Sequence, residues 1–217
     1  MIKSIPGIQL LSVFIIAGSL LAPFFPAVEL LPSAAPEVPE VKVQSFPEYY
    51  APALNDGYYL QGYNQCAGYS TAFVQRFYNQ HALGSENYRQ LSYPLPFDIG
   101  VPPHRILRHL RSNQLNASAR IGNLDNLKYH LSRGIPVIVM VGDGLKWQHY
   151  MVAIGYNNLK DEIYFYDPET GPSLLPRQEP GNLTLDTDKF LDIWENNLPF
   201  FSQMFITVEP REIPQET

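Results

Sequence analysis

The stretch that decides the fold reads Pro136-Val-Ile-Val-Met-Val141, then His149-Tyr-Met-Val-Ala-Ile-Gly-Tyr156, then Glu162-Ile-Tyr-Phe-Tyr-Asp167-Pro168. Each run is short, rich in Val, Ile and aromatic residues, and bounded by turn-forming residues, which is the pattern of strands rather than helices. Gly142-Asp143-Gly144 separates the first run from the second, and a turn over residues 157–161 separates the second from the third, so antiparallel hairpins are expected. A last strand is expected over residues 203–208.

Upstream of these strands the apolar spacing changes from two to three and four. Ala67, Ala72, Phe73 and Phe77 follow Cys66 at helical spacing, which places Cys66 at a helix N-terminus. Further helices are predicted over residues 104–111, after Pro102-Pro103, and over residues 124–133, stopped by Gly134. Another is predicted over 186–196, with Phe190, Ile193 and Trp194 on one face. Helices first and mainly strands afterwards give an α+β expectation, with helices packed on an antiparallel sheet.

The chain has 217 residues, 45% of them hydrophobic, enough for one packed core. Its net charge of -6, with no basic run, gives nucleic-acid binding no electrostatic support. No His, Cys or carboxylate cluster has metal-ligand spacing, and no Gly-rich phosphate loop occurs, so neither a metal nor another cofactor is expected. Near the N-terminus, Lys3 precedes an apolar run over residues 8–22, the shape of a secretory signal or a membrane anchor. The expected organisation is a signal peptide or anchor over 1–32, a Pro-rich linker over 33–52 and a catalytic-sized domain over 53–217. That order implies a secreted or cell-surface location.

The chain holds one cysteine. A single Cys excludes an intramolecular disulfide and raises the question whether Cys66 is buried filler or a nucleophile. A thiolate needs a helix N-terminus and a neighbouring imidazolium. Of the five histidines, His104, His109 and His130 fall on predicted helices and His81 lies beyond the end of the Cys66 helix. His149 stands at a loop-to-strand junction, where a side chain can face a cleft, and is the candidate base. Asp167 closes the strand that a hairpin would fold back beside His149, and can fix the imidazole's tautomer. Gln61 and Gln65 are the candidate oxyanion donors, with Gln61, about a turn upstream, better able to curl back over the site than the side chain adjacent to the nucleophile.

These segments, Gln61-Gly-Tyr-Asn-Gln-Cys66-Ala-Gly-Tyr-Ser70, His149 to Tyr156, and Tyr166-Asp167-Pro-Glu-Thr-Gly171, together resemble the bacterial papain-like cysteine peptidases of peptidase family thirty-nine. That family includes the bacteriocin-processing peptidases that cut after double-glycine leaders. The resemblance covers residues 61–171 and implies a papain-like fold, Cys66 as nucleophile, His149 as base, Asp167 as its orienting group and Gln61 as oxyanion donor. The chain departs from the family in having Ala67 after the nucleophile, with glycine delayed to Gly68, and Gln61 five rather than six residues upstream. The expected activity is hydrolysis of a peptide or amide through an acyl-thioester. The alternatives are acyl transfer by the same triad, or an inactive papain-like module that binds a partner. Tyr58, Tyr59, Tyr63, Tyr69 and Trp147 are candidates to line a substrate groove, and Asn116-Ala-Ser and Asn182-Leu-Thr match the glycosylation acceptor pattern.

Overall fold

The structure is a computed structural model that describes residues 47–50, 57–93, 100–171 and 180–210. The segments expected as signal or anchor and as linker therefore lie almost wholly outside the described residues. Among the described residues, no helix is long and apolar enough to cross a membrane.

The described residues open with a two-residue strand β1 (Tyr49–Tyr50), followed by helices α1 (Cys66–Phe77), α2 (Gly84–Leu91) and α3 (Pro103–Ser112). Then come β2 (Leu115–Ile121), α4 (Leu124–Ser132), β3 (Val137–Asp143), β4 (Trp147–Asn157), β5 (Glu162–Tyr166), β6 (Leu183–Asp186), α5 (Thr187–Trp194) and β7 (Met204–Pro210). The seven strands form one sheet in the order β2-β7-β3-β4-β5-β6, with β1 paired to the far end of β4. Every pairing is antiparallel. The α+β expectation and each of the predicted helices and strands are present; β1, which falls in the stretch expected as linker, and α2, β2 and β6 are elements that the sequence pattern did not announce.

Both faces of the sheet are covered, which explains why β3 reads as a continuous apolar run and is buried from Val137 to Gly142. On one face Ile138, Met140, Tyr150, Val152 and Ile206 pack against Phe73 and Val74 of α1, Leu91 of α2 and Ile106 and Leu110 of α3. On the other, Val139, Met151, Phe165 and Phe205 pack against Leu127 and Leu131 of α4 and Phe190 and Trp194 of α5. Trp194 is wholly buried and its indole N–H donates to the Met204 carbonyl at 3.0 Å, so the largest core side chain leaves no polar atom unmet.

The delayed glycine has a packing role. A Cβ on Gly68 would come within 2.4 Å of the Gly84 carbonyl oxygen and 2.7 Å of the Tyr88 backbone nitrogen, so α1 and the start of α2 touch backbone to backbone there. Reciprocally, a Cβ on Gly84 would run into the Tyr69 ring, so the two glycines let the helices lock together. The contact fixes the helix that begins at Cys66.

Candidate active site

The β4–β5 hairpin turns over residues 158–161, with Asp161 in the left-handed conformation at φ 57°. From the turn, Asn157 pairs with Glu162, Tyr156 with Ile163 and Gly155 with Tyr164, after which the register slips, so that Ala153 pairs with Phe165 and Val152 with Tyr166. Ile154 is the extra residue of a β-bulge. Continuing the shifted register by one pair sets Asp167 across from Met151, on the same side of the ladder as His149 two residues away. In an unbulged ladder Asp167 would lie across from Val152, on the opposite side. The bulge is thus what turns Asp167 toward the histidine.

His149 Nε2 and Asp167 Oδ1 lie 2.7 Å apart, and both residues are buried. Asp167 Oδ1 also accepts the Glu169 N–H at 2.9 Å, and Oδ2 accepts the Thr170 hydroxyl at 2.7 Å, so both carboxylate oxygens are held. Burial pushes the Asp167 carboxyl up, but the hydrogen bond and charge of His149, with Glu169 and Thr170, win, and its pKa falls below the ordinary value.

Beyond Val152, where pairing with β5 has stopped, α1 takes hold of β4. Ser70 Oγ donates to the Tyr150 carbonyl at 2.9 Å, a buried tie between the helix that starts at Cys66 and the residue after His149. Cys66, half-buried, is the first residue of α1. Gln65 at the N-cap makes no side-chain cap hydrogen bond, and the first turn carries no acidic residue. The helix's positive end therefore meets neither a cap from Gln65 nor a carboxylate of its own first turn. Cys66 is, with Asp167, the second group that acts on the His149 ring. With Nε2 engaged by Asp167, Nδ1 is the nitrogen left for the sulfur. Burial pulls the His149 pKa down, but the hydrogen bonds to Asp167 and Cys66 and the two negative charges overcome it and push it up to about 10.

Cys66, His149 and Asp167 are therefore brought together. Gln61 joins the same neighbourhood through its backbone, its N–H donating to the Pro168 carbonyl at 2.8 Å. Its Oε1 is buried with no partner among the described residues. The Gln65 side chain instead folds back on the loop, where a Cβ on Gly62 would lie 2.9 Å from its Oε1. The turn between them is closed by the Gln65 N–H to the Gly62 carbonyl, with Asn64 at φ 55°. Among the described residues, no group of three His, Cys, Asp or Glu side chains could hold a metal ion.

The candidate groove residues separate into two kinds. Tyr58 is structural: its ring stacks on Phe73 and Tyr166, and its hydroxyl accepts the Gly181 N–H at 3.0 Å. Tyr69 packs on Gly84. Tyr59, Tyr63 and Trp147 are exposed. Histidines 109 and 130 are half-buried; burial lowers both, and with the nearby charges of Arg120 and Arg133 it takes His130 to about 4.

Asn182 is the residue that sequence reasoning missed. Read from the sequence as part of a glycosylation acceptor pattern, it is fully buried, and its carboxamide is spent on the Asp167 turn. No local signal marks it, because its partners lie 11 and 15 residues away in the chain.

An antiparallel sheet between helices, with a Cys at a helix N-terminus facing a strand-borne His–Asp pair, is the architecture of a papain-like cysteine peptidase domain. The model of the Peptidase_C39 like family matches residues 54–197, and the chain belongs to that family. No curated protein matches it. Among solved structures, the chain is similar to the peptidase domain of Streptococcus ComA, a bi-functional ABC transporter involved in a quorum sensing pathway. The identity is 17% and the TM-score 0.52, covering 70% of this chain and 96% of that one. It is also similar to a double glycine motif protease from an AMS/PCAT transporter solved in complex with the leader peptide, with 14% identity and a TM-score of 0.50, covering 74% of this chain and 91% of that one. At these identities the likeness shows the fold.

Proposed function

We propose that the protein is a cysteine peptidase or amide hydrolase acting through Cys66, His149 and Asp167. The observation that carries this reading is His149 paired with Asp167 at 2.7 Å and raised in pKa by Cys66, which stands at the start of α1. In the first step the Cys66 thiolate attacks the scissile carbonyl carbon, forming the C–S bond and moving the carbonyl π pair onto oxygen. The resulting oxyanion takes hydrogen bonds from the Cys66 backbone N–H and the Gln61 side-chain amide. The C–N bond then breaks as protonated His149 gives its proton to the leaving amine, leaving an acyl-thioester. Water attacks that thioester, His149 takes its proton, and the C–S bond breaks to release the acid and restore the thiolate–imidazolium pair. Asp167 stays ionised throughout and holds the ring.

A peptide substrate is supported by the family and by the leader peptide bound to the related double glycine motif protease. Action outside the cytoplasm is supported by the apolar run over residues 8–22.

The test is the pH dependence of iodoacetamide alkylation of the protein, parent against His149→Ala. The proposal expects fast alkylation of the parent well below the free-thiol value of about 8.5, and a loss of that acid-side reactivity in the variant. Slow alkylation of both proteins at pH 6 would leave the domain without a working nucleophile.

A further inference from the structure

The carboxamide of Asn182 makes three hydrogen bonds to the main chain of the segment that carries Asp167. The Asp167 N–H donates to Asn182 Oδ1 at 2.6 Å, while Asn182 Nδ2 donates to the carbonyls of Asp167 at 2.7 Å and Gly171 at 2.9 Å. One donor and two carbonyl acceptors fix which end of the amide is which. Asn182 is itself placed by its own N–H, which donates to the Phe165 carbonyl at 3.0 Å. Its neighbour Gly181 adopts φ +78°, and a Cβ there would sit 2.2 Å from the same Phe165 oxygen. Only glycine lets residue 182 come this close.

The clipped segment serves two parts of the site. At its start, Asp167 reaches His149; one residue on, the Pro168 carbonyl accepts the Gln61 N–H. Proline 168 supplies no N–H of its own, so the turn after β5 has no ladder bond there to hold it, and Asn182 takes that place.

Resting on the triad reading above, we propose that Asn182 is the positioning residue of this site. Its carboxamide sets the 167–171 turn so that the Asp167 carboxylate meets the imidazole and Gln61 is registered against the nucleophile. It touches no reacting atom and acts through Asp167.

The test compares the full-length parent with Asn182→Ala, each shown to be folded by circular dichroism, using the iodoacetamide alkylation rate of Cys66 from pH 4 to 10. The expected result is a loss of about tenfold at pH 6, because an imidazolium no longer aimed at the sulfur cannot hold the thiolate, with little difference at pH 9.5, above the ordinary thiol value of about 8.5. On an Asp167→Ala background, Asn182→Ala should add no further change at pH 6. A variant with the parental pH profile, a slowing equal at every pH, or an additive effect on that background would each overturn the proposal. Should Asn182→Ala not fold, Asn182→Ser, which is too short to make the three carboxamide bonds together, is read the same way. A parent that itself alkylates like a free thiol overturns the triad reading and the role of Asn182 with it. A parent with fast acid-side alkylation and an unaffected Asn182→Ala overturns only the latter.

Discussion

Replacing Asp167 by Asn keeps the shape of the side chain and removes its charge, so the stability of that variant against the parent isolates the electrostatic part of the pair with His149. Raising His149 from 6.5 to about 10 corresponds to a preference on the order of 5 kcal/mol for the imidazolium, shared between Asp167 and Cys66. A neutral amide keeps a hydrogen bond roughly half as strong as a charge-assisted one, which leaves roughly 2 kcal/mol for the Asp167 charge. The pH dependence has two edges. His149 is raised in the fold, so its contribution is complete below its ordinary 6.5 and is lost as pH rises through about 10. Asp167 is lowered, so its contribution is present above its ordinary 3.8 and is lost as pH falls below. Parent and variant should therefore differ most between about pH 5 and 7, by roughly 4 to 8 °C in Tm for a domain of this size, and converge at both extremes. Thermal unfolding followed at intervals from pH 3 to pH 10 measures the gap. Equal melting at pH 6, or a gap that does not change with pH, would refute the reasoning.

Other outcomes follow from particular contacts. Gln61→Ala should leave the iodoacetamide alkylation rate of Cys66 unchanged, because alkylation forms no oxyanion, while lowering kcat on a cleavable peptide by about a hundredfold; equal loss in both assays would point to misplacement of Cys66 instead. Gly68→Ala forces a methyl against the Gly84 carbonyl and the Tyr88 backbone, and should cost about 1 to 3 kcal/mol in urea unfolding with an unchanged m-value. Trp194→Phe removes the indole donor to the Met204 carbonyl and opens space between α5 and the sheet, for a loss of about 2 to 3 kcal/mol in the same measurement.

The relation between Cys66, His149 and Asp167 shows how far the sequence could be read. Helical spacing after Cys66 and the apolar runs after Gly134 were enough to give the elements, because burial on one helix face or on both sheet faces leaves a period that needs no knowledge of partners. The strand-end position of Asp167 was legible for the same reason, whereas His149, expected at a loop-to-strand junction, lies two residues inside β4 and paired with Val141, because the strand extends back through the polar Gln148 to Trp147. The elements that escaped are those without such a period. Strand β2 reads Leu-Asn-Ala-Ser-Ala-Arg-Ile, with small and polar residues on an edge, and β6 is four residues long and only half-buried. Helix α2 is polar through most of its length and is held by Gly84 and Asn87.

By itself, then, the sequence singled out the candidate side chains and the elements that hold them, since residue type and period are local properties. The tertiary structure decided whether those side chains meet. A hairpin between His149 and Asp167 is compatible with either face for the carboxylate; the single extra residue Ile154 selects the side of His149. Gln61 and Gln65 are equally plausible by type, and only the fold gives them different surroundings, one folded back over Gly62 and the other tied by its backbone to Pro168. Asn182 gained its meaning only when β6 came to lie beside β5, since hydrogen bonds between segments distant in the chain are fixed by strand pairing and leave no trace in local periodicity.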